Sequence, residues 1–253
     1  MIAARQIAFG KAAGAKEEPP AYWGLCFTAE EAGSTVAMQA VGSAPAVTLE
    51  TSFDGEIWEP FTVGETTITL PSVGDKVYFR AGEGGNTALA TYDTQYNNFV
   101  MAGKIAASGN IMSLLQGDAA TYTLANYCFS NLFSYCESLI SAPELPAITL
   151  THFCYRKMFY NCSSLATAPE LPTKTHSGAT ARGAYSYMFS NCTNLSKIKV
   201  SLTTSLVAAT AGRWVENVSP TGTFICPTAL GTNETIKRGI GACPEGWTVI
   251  NKD

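Results

Sequence analysis

Between Cys128 and Ala179 the chain reads CFSNLFSYCESLISAPELPAITLTHF and then CYRKMFYNCSSLATAPELPTKTHSGA, with 11 of 26 positions identical. A tandem period of this length specifies stacked units that cannot bury an apolar edge alone, so neighbouring copies must supply the rest of the core. The identities fall at Cys128/Cys154, Phe133/Phe159, Cys136/Cys162, Ser138/Ser164, Leu139/Leu165, Thr149/Thr175 and the Ala-Pro-Glu-Leu-Pro runs from Ala142 and Ala168. TLANYC before the first copy matches TLTHFC before the second, so a partial unit headed by SGNIMSLL precedes it, as a cap would. AYSYMFSNCTNL repeats the frame a third time, thirty residues on, with a four-residue insertion within KTHSGATARG. In this third unit KIKVSL replaces APELP and alternates like a strand.

Phe133, Cys136 and Leu139 recur at spacings of three, which predicts one buried edge of a short helix or tight coil. The Pro-Glu-Leu-Pro run then ends any helix, because proline lacks an N–H and holds its predecessor extended. A short extended piece over 147–150 completes the unit. Positions invariant between copies are expected in the core and variable ones outside. That places the rings of Phe129, Tyr135, Tyr155, Tyr160, Tyr185 and Tyr187 on the surface. A tyrosine offers area and a hydroxyl together, so Tyr135, Tyr155, Tyr160, Tyr185 and Tyr187 are the candidate ligand-binding residues.

The N-terminal half has a different texture. Residues 21–107 carry seven short alternating or β-branched runs divided by Gly, Pro, Asn or Asp, which suits a small immunoglobulin-like sandwich. The Cys-Trp-Cys spacing of true immunoglobulin domains is absent, so strand count alone carries this expectation. Asp54-Gly55 predicts a two-residue hairpin, and Trp58 is expected to plug the core. Residues 1–20 show no period and read as an extended arm, in which Ile2, Arg5, Ile7 and Phe9 would dock onto an assembly partner. The expected organisation is therefore mixed and β-rich: arm 1–20, β-sandwich 21–107, leucine-rich-repeat-like solenoid 108–200, C-terminal β cap 201–253.

Charged residues make up only 14% of the 253, and the net charge is −4. No basic stripe appears, which argues against sequence-independent nucleic-acid binding. No window reaches the length of a membrane span. MIAARQIAFGKAAGAKEEPP lacks the apolar core of a secretory signal, so the chain as it stands carries no export mark. Five of the eight cysteines sit at repeat positions, which favours buried structural thiols over disulfides.

No catalytic constellation emerges. His152 and His176 are not in metal-site spacing, and neither GKAAGAK nor AGEGGN has the spacing of a phosphate-binding loop. Glu144 and Glu170 could suggest a glycosidase pair, but equivalent repeat positions explain them as a shared turn. Asn161 and Asn191 stand in formal glycosylation sequons, yet their matching repeat positions favour a turn-forming role. No catalytic residue, cofactor or metal site is expected.

MFYNCSSLATAPELP and MFSNCTNLSKIKVS resemble the BspA-type leucine-rich repeats of surface proteins from gut Bacteroidales and their phages; the likeness covers roughly 108–253. FTAEEAGSTVAMQAV and FVMAGKIAASGNIMSLL resemble the β-rich region that commonly precedes such repeats, and GTFICP and PEGWTVIN its usual ending. The resemblance implies a binding or adhesive role without catalytic residues. The expected function is that of a phage virion protein, a head or tail fibre or decoration protein at the virion surface, made in the host cytoplasm. It would join other virion proteins through its arm and attach to host-surface or mucosal glycans or proteins, with assembly as a homo-oligomer left open. The alternative is a bacterial cell-surface adhesin of the same repeat family.

Overall fold

The computed structural model describes residues 24–115, 124–147, 149–172, 181–203 and 211–252. The four arm residues Ile2, Arg5, Ile7 and Phe9, like His176 and most of the insertion, lie outside them. The described chain is β-rich with almost no helix. No helix among these residues is long and apolar enough to cross a membrane.

The chain opens with β1 (Leu25–Ala29), β2 (Ser34–Val41), β3 (Leu49–Ser52), β4 (Glu59–Phe61), β5 (Thr67–Leu70) and β6 (Lys76–Ala81). β7 (Ala90–Tyr92), β8 (Gln95–Ala102), β9 (Ile105–Ser108) and β10 (Leu139–Ser141) follow. They form a six-stranded sheet ordered β10-β9-β1-β6-β3-β4 and a four-stranded sheet ordered β5-β2-β8-β7. Alternation decides which face is inside: Leu25, Phe27 and Ala29 of β1, Val77 and Phe79 of β6, Val36 and Met38 of β2 and Phe99 of β8 are all buried. Phe27, Phe79 and Phe99 meet edge to face at 4.9–5.5 Å, joining the two sheets.

Two local expectations fail here. Trp58 is not in the core; it is half-buried on the outside, with the Arg80 guanidinium 4.1 Å above its ring and its Nε1 donating to the Gly55 carbonyl. Arg80 is tied in turn to Glu50. Nor is Asp54-Gly55 a two-residue hairpin: six residues separate Ser52 from Glu59. The Asp54 carboxylate accepts the N–H groups of Glu56 and Ile57, and Ser52 Oγ accepts that of Gly55. These side-chain bonds satisfy the backbone locally and fold a wider loop.

The repeats are not helical. Residues 127–135, 153–161, 183–191 and 213–217 each follow a ribbon of successive turns with a left-handed residue at every fourth position: Tyr127, Asn131, Tyr135; Phe153, Lys157, Asn161; Gly183, Tyr187, Asn191; Arg213, Asn217. Left-handed backbone costs a non-glycine residue about 1 kcal/mol, less for asparagine, and the hydrogen-bond pattern shows what holds it. In the second ribbon the N–H groups of Phe153, Tyr155, Lys157, Phe159 and Asn161 donate to Arg182, Ala184, Ser186, Met188 and Ser190 of the third. Those of Cys154, Arg156, Met158, Tyr160 and Cys162 donate three residues back within the ribbon. Carbonyls alternate in the complementary sense, so the buried backbone is satisfied half locally and half by the neighbouring coil. A glycine is required at position 183, where a Cβ would collide with the Phe153 ring.

The resulting burial period is four. Cys154-Tyr155, Met158-Phe159 and Cys162 point inward, while 152-153, 156-157 and 160-161 are half-exposed. Phe99, Phe133, Phe159 and Phe189 stack at 5.3–5.6 Å with planes within 13°. Phe129, Tyr155 and Tyr185 form a parallel column at 6.0–6.2 Å. Trp214 lies against the last ring of both, 6.2 Å from Tyr185 and 6.0 Å from Phe189. On the opposite side of the coils, parallel bridges link Thr167 to Lys197 and Leu171 to Val200. They lead into the parallel sheet of β11 (Lys197–Lys199), β12 (Thr223–Cys226) and β13 (Thr248–Asn251). The Asn233 side-chain amide pairs with the N–H and C=O of Val249, so the outer edge of β13 is capped. One apolar cluster runs from Leu25 to Val249.

Candidate functional site

Packing divides the five predicted tyrosines. Tyr155 and Tyr185 are each 1% exposed, and Phe129 is fully buried. The expectation that variable positions face outward fails for all three, because what varies in this column is the hydroxyl while the ring is kept. These residues present nothing to solvent. Tyr135 is 62% exposed, and Tyr160 and Tyr187 are half-buried on the ribbon's outer face.

That outer face carries aromatics that the repeat frame did not single out. The turn between β7 and β8 lies along the first ribbon: the Tyr92 ring is 5.6 Å from Tyr127, and Asn131 Nδ2 donates to the Asp93 carbonyl at 3.4 Å. Tyr96 stands on the same face of β8 as Asn98, whose Nδ2 donates to the Ser134 carbonyl at 3.4 Å, next to Tyr135, and burial raises the pKa of the Tyr96 hydroxyl. The face thus has two aromatic flanks. Tyr92, Tyr127 and Phe153 form one, the last two stacked at 4.8 Å. Tyr135 and Tyr160 form the other, edge to face at 5.5 Å, with Tyr96 on the adjoining face of β8. A four-residue period read from Tyr127 through Asn131 to Tyr135 would have put these positions on one face; the arrival of Tyr92 and Tyr96 has no sequence signal.

Between the flanks Asp93 binds two cations from the second coil. Arg156 Nε and Nη2 reach its carboxylate at 3.0 and 3.3 Å, and Lys157 Nζ at 3.0 Å. Arg156 also lies 5.2 Å from the Tyr187 ring and 5.8 Å from that of Phe153. Burial opposes the charge on Asp93, but the two cations outweigh it and hold its pKa below the ordinary value. A carboxyl whose folded pKa is depressed contributes stability above its unfolded pKa, near 3.9, and that contribution is lost as pH falls through the lower folded value. Asp93→Asn should therefore destabilise by a constant amount from neutral pH down to about 4, with the gap to the wild type closing at lower pH. Urea unfolding from pH 7 to pH 2 checks this; a gap that widens on acidification would remove Asp93 as the clamp.

The remaining chemistry-bearing side chains serve the scaffold. All eight cysteines are free and buried. Cys136, Cys162 and Cys192 donate to the carbonyls of Phe99, Phe133 and Phe159 at 3.0–3.1 Å, and burial pushes each pKa well up, away from thiolate chemistry. Asn191 Nδ2 donates to Asn161 Oδ1 at 2.7 Å, and Asn217 Nδ2 to Asn191 Oδ1 at 2.8 Å. Both sequon asparagines are thus rungs of a side-chain ladder at left-handed positions. His152 Nδ1 accepts the Arg182 N–H at 3.1 Å. Glu144 and Glu170 border a cleft of about 380 Å³ between the two Pro-Glu-Leu-Pro runs, and Glu170 is paired with Lys199 at 2.7 Å. Among the described residues no group of three His, Cys, Asp or Glu side chains is placed to hold a metal ion.

No protein-family model, curated protein or solved structure matches this chain.

Proposed function

We propose that this chain is a non-enzymatic binding protein of a phage virion, an immunoglobulin-like sandwich carrying a short leucine-rich-repeat-like solenoid whose outer ribbon face contacts the ligand. The observation that carries the binding reading is the set of tyrosines left at the surface, Tyr92, Tyr96, Tyr127, Tyr135, Tyr160 and Tyr187, on a scaffold that buries most of its other rings. Rigid rings with a polar tip give contact area at small cost in side-chain entropy. Two sheets closing on a shared aromatic core support the sandwich, and coils that pair a turn ribbon with a parallel ladder support the solenoid. The virion placement rests on the resemblance of MFYNCSSLATAPELP and MFSNCTNLSKIKVS to repeats of gut bacterial surface and phage proteins.

Mass spectrometry of density-purified phage particles, with antibody labelling, tests the placement. Stoichiometric copies on the particle are the expected result. Recovery only in a bacterial envelope fraction would overturn it in favour of a cell-surface adhesin.

A further inference from the structure

From the seam between the β7–β8 turn and the first two coils we infer a binding site for a neutral glycan chain, with Tyr92 and Tyr135 as its exposed contact rings. The inference rests on the binding reading above and supplies its ligand class. Tyr92 and Tyr135 are 59% and 62% exposed, which makes them the two most exposed aromatic side chains of this face. Each is steadied by a neighbouring ring, Tyr92 by Tyr127 and Tyr135 by Tyr160. Held this way, each keeps free ring surface against which the C–H face of a sugar can pack.

Charge points to a neutral ligand. Arg156 and Lys157 are both committed to Asp93, and Arg156 also lies between Phe153 and Tyr187. Arg213, farther along the same face, is paired with Glu216, while Arg182, exposed on the third coil, is in no ion pair among the described residues. At the seam itself a polyanion would have to pull Arg156 and Lys157 off Asp93. Apolar character points away from a protein partner. Of the exposed aliphatic side chains, Ile57, Val73, Ile240 and Ile250 belong to other loops and to the edge strand β13, and Val100 alone lies near this face, on β8 four residues beyond Tyr96; a protein–protein hot spot is built around several apolar anchors desolvated in pockets. What this face offers instead is tyrosine hydroxyls beside the uncharged amide ladder of Asn161 and Asn191.

Isothermal titration of the full chain with cellohexaose, xylohexaose and mannohexaose as neutral probes, and a polygalacturonate hexamer as the anionic one, tests this. At least one neutral hexasaccharide should bind the wild type, insensitive to salt between 50 and 500 mM. Tyr92→Ala and Tyr135→Ala should each weaken it at least about tenfold at unchanged melting temperature. Val73→Ser, an exposed change in the β5–β6 turn, should have no effect. Lack of binding to every neutral probe, or tighter salt-sensitive binding of the anionic one, overturns the inference. The same four proteins applied to bacterial cells and mucin-coated beads separate the two levels. Attachment that needs Tyr92 and Tyr135 without hexasaccharide binding leaves the binding reading standing and moves the ligand to protein; no attachment at all removes both.

Discussion

Trp214→Ala is expected to lower the melting temperature by about 10 °C, equivalent to about 4 kcal/mol for emptying a fully buried indole site in a chain of this size. The effect should exceed that of an ordinary core truncation because one ring ends two columns. Trp214 touches Tyr185, Phe189 and, at 6.4 Å, Phe224, so it joins the ribbon side of the last coil to the closing parallel sheet. Its Nε1 donates to the Ala242 carbonyl at 2.8 Å, and the truncation leaves that acceptor without its donor. Trp214→Phe keeps most of the ring and loses the hydrogen bond, so it should fall about 1 kcal/mol below the wild type. Differential scanning calorimetry of both variants decides the matter. A shift under about 3 °C for the alanine variant would show that the columns are closed by something else.

The second large effect is a pair of opposite sign at one position. Tyr155→Ala should cost about 3–5 kcal/mol, since it opens a cavity midway along the column between Phe129 and Tyr185. Tyr155→Phe should stabilise by about 1 kcal/mol. The Tyr155 hydroxyl is buried without a hydrogen-bond partner among the described residues, so removing it relieves a desolvated polar group while the ring stays. Phe129 already fills the equivalent site one coil earlier. Chemical unfolding of the two variants measures both signs. A Tyr155→Phe protein less stable than the wild type by more than about 1 kcal/mol would mean that the hydroxyl has a partner after all.

Tyr155 also shows how far the repeat could be read. Comparing copies separates fixed from variable letters, and a Phe-to-Tyr change counts as variable although its six-membered ring packs identically. The period of burial is legible in the repeat, but the backbone that carries it is not. CFSNLFSYC and CYRKMFYNC place apolar pairs every fourth residue, a spacing that two turns of an amphipathic α-helix would satisfy as well, and the structure realises it instead as a turn ribbon with a left-handed fourth residue. Phe133, Cys136 and Leu139, at spacings of three, point the same segment toward a helix. A tryptophan following a hairpin signal in a β-rich stretch reads as core, whereas Trp58 has Arg80 as its partner, two strands away through the pairing of β3 with β6.

What the sequence by itself determined is the part written in local or repeated terms. The tandem copies dictate coils that stack in register. The alternation in LCFTA, STVAMQAV and KVYFRA dictates strands and their inner faces, and the repeat cysteines dictate a buried thiol ladder, because each property depends on a residue's own unit or on its copy in the next. Only the tertiary structure decided which tyrosines are left outside. Tyr92 and Tyr96 reach the ribbon's outer face because the turn between β7 and β8 lies across the first coil, fixed there by Asp93 on Arg156 and Lys157, residues more than sixty positions away. No period connects such residues; they are brought together by the docking of two different architectures, whose register is set by packing at the seam.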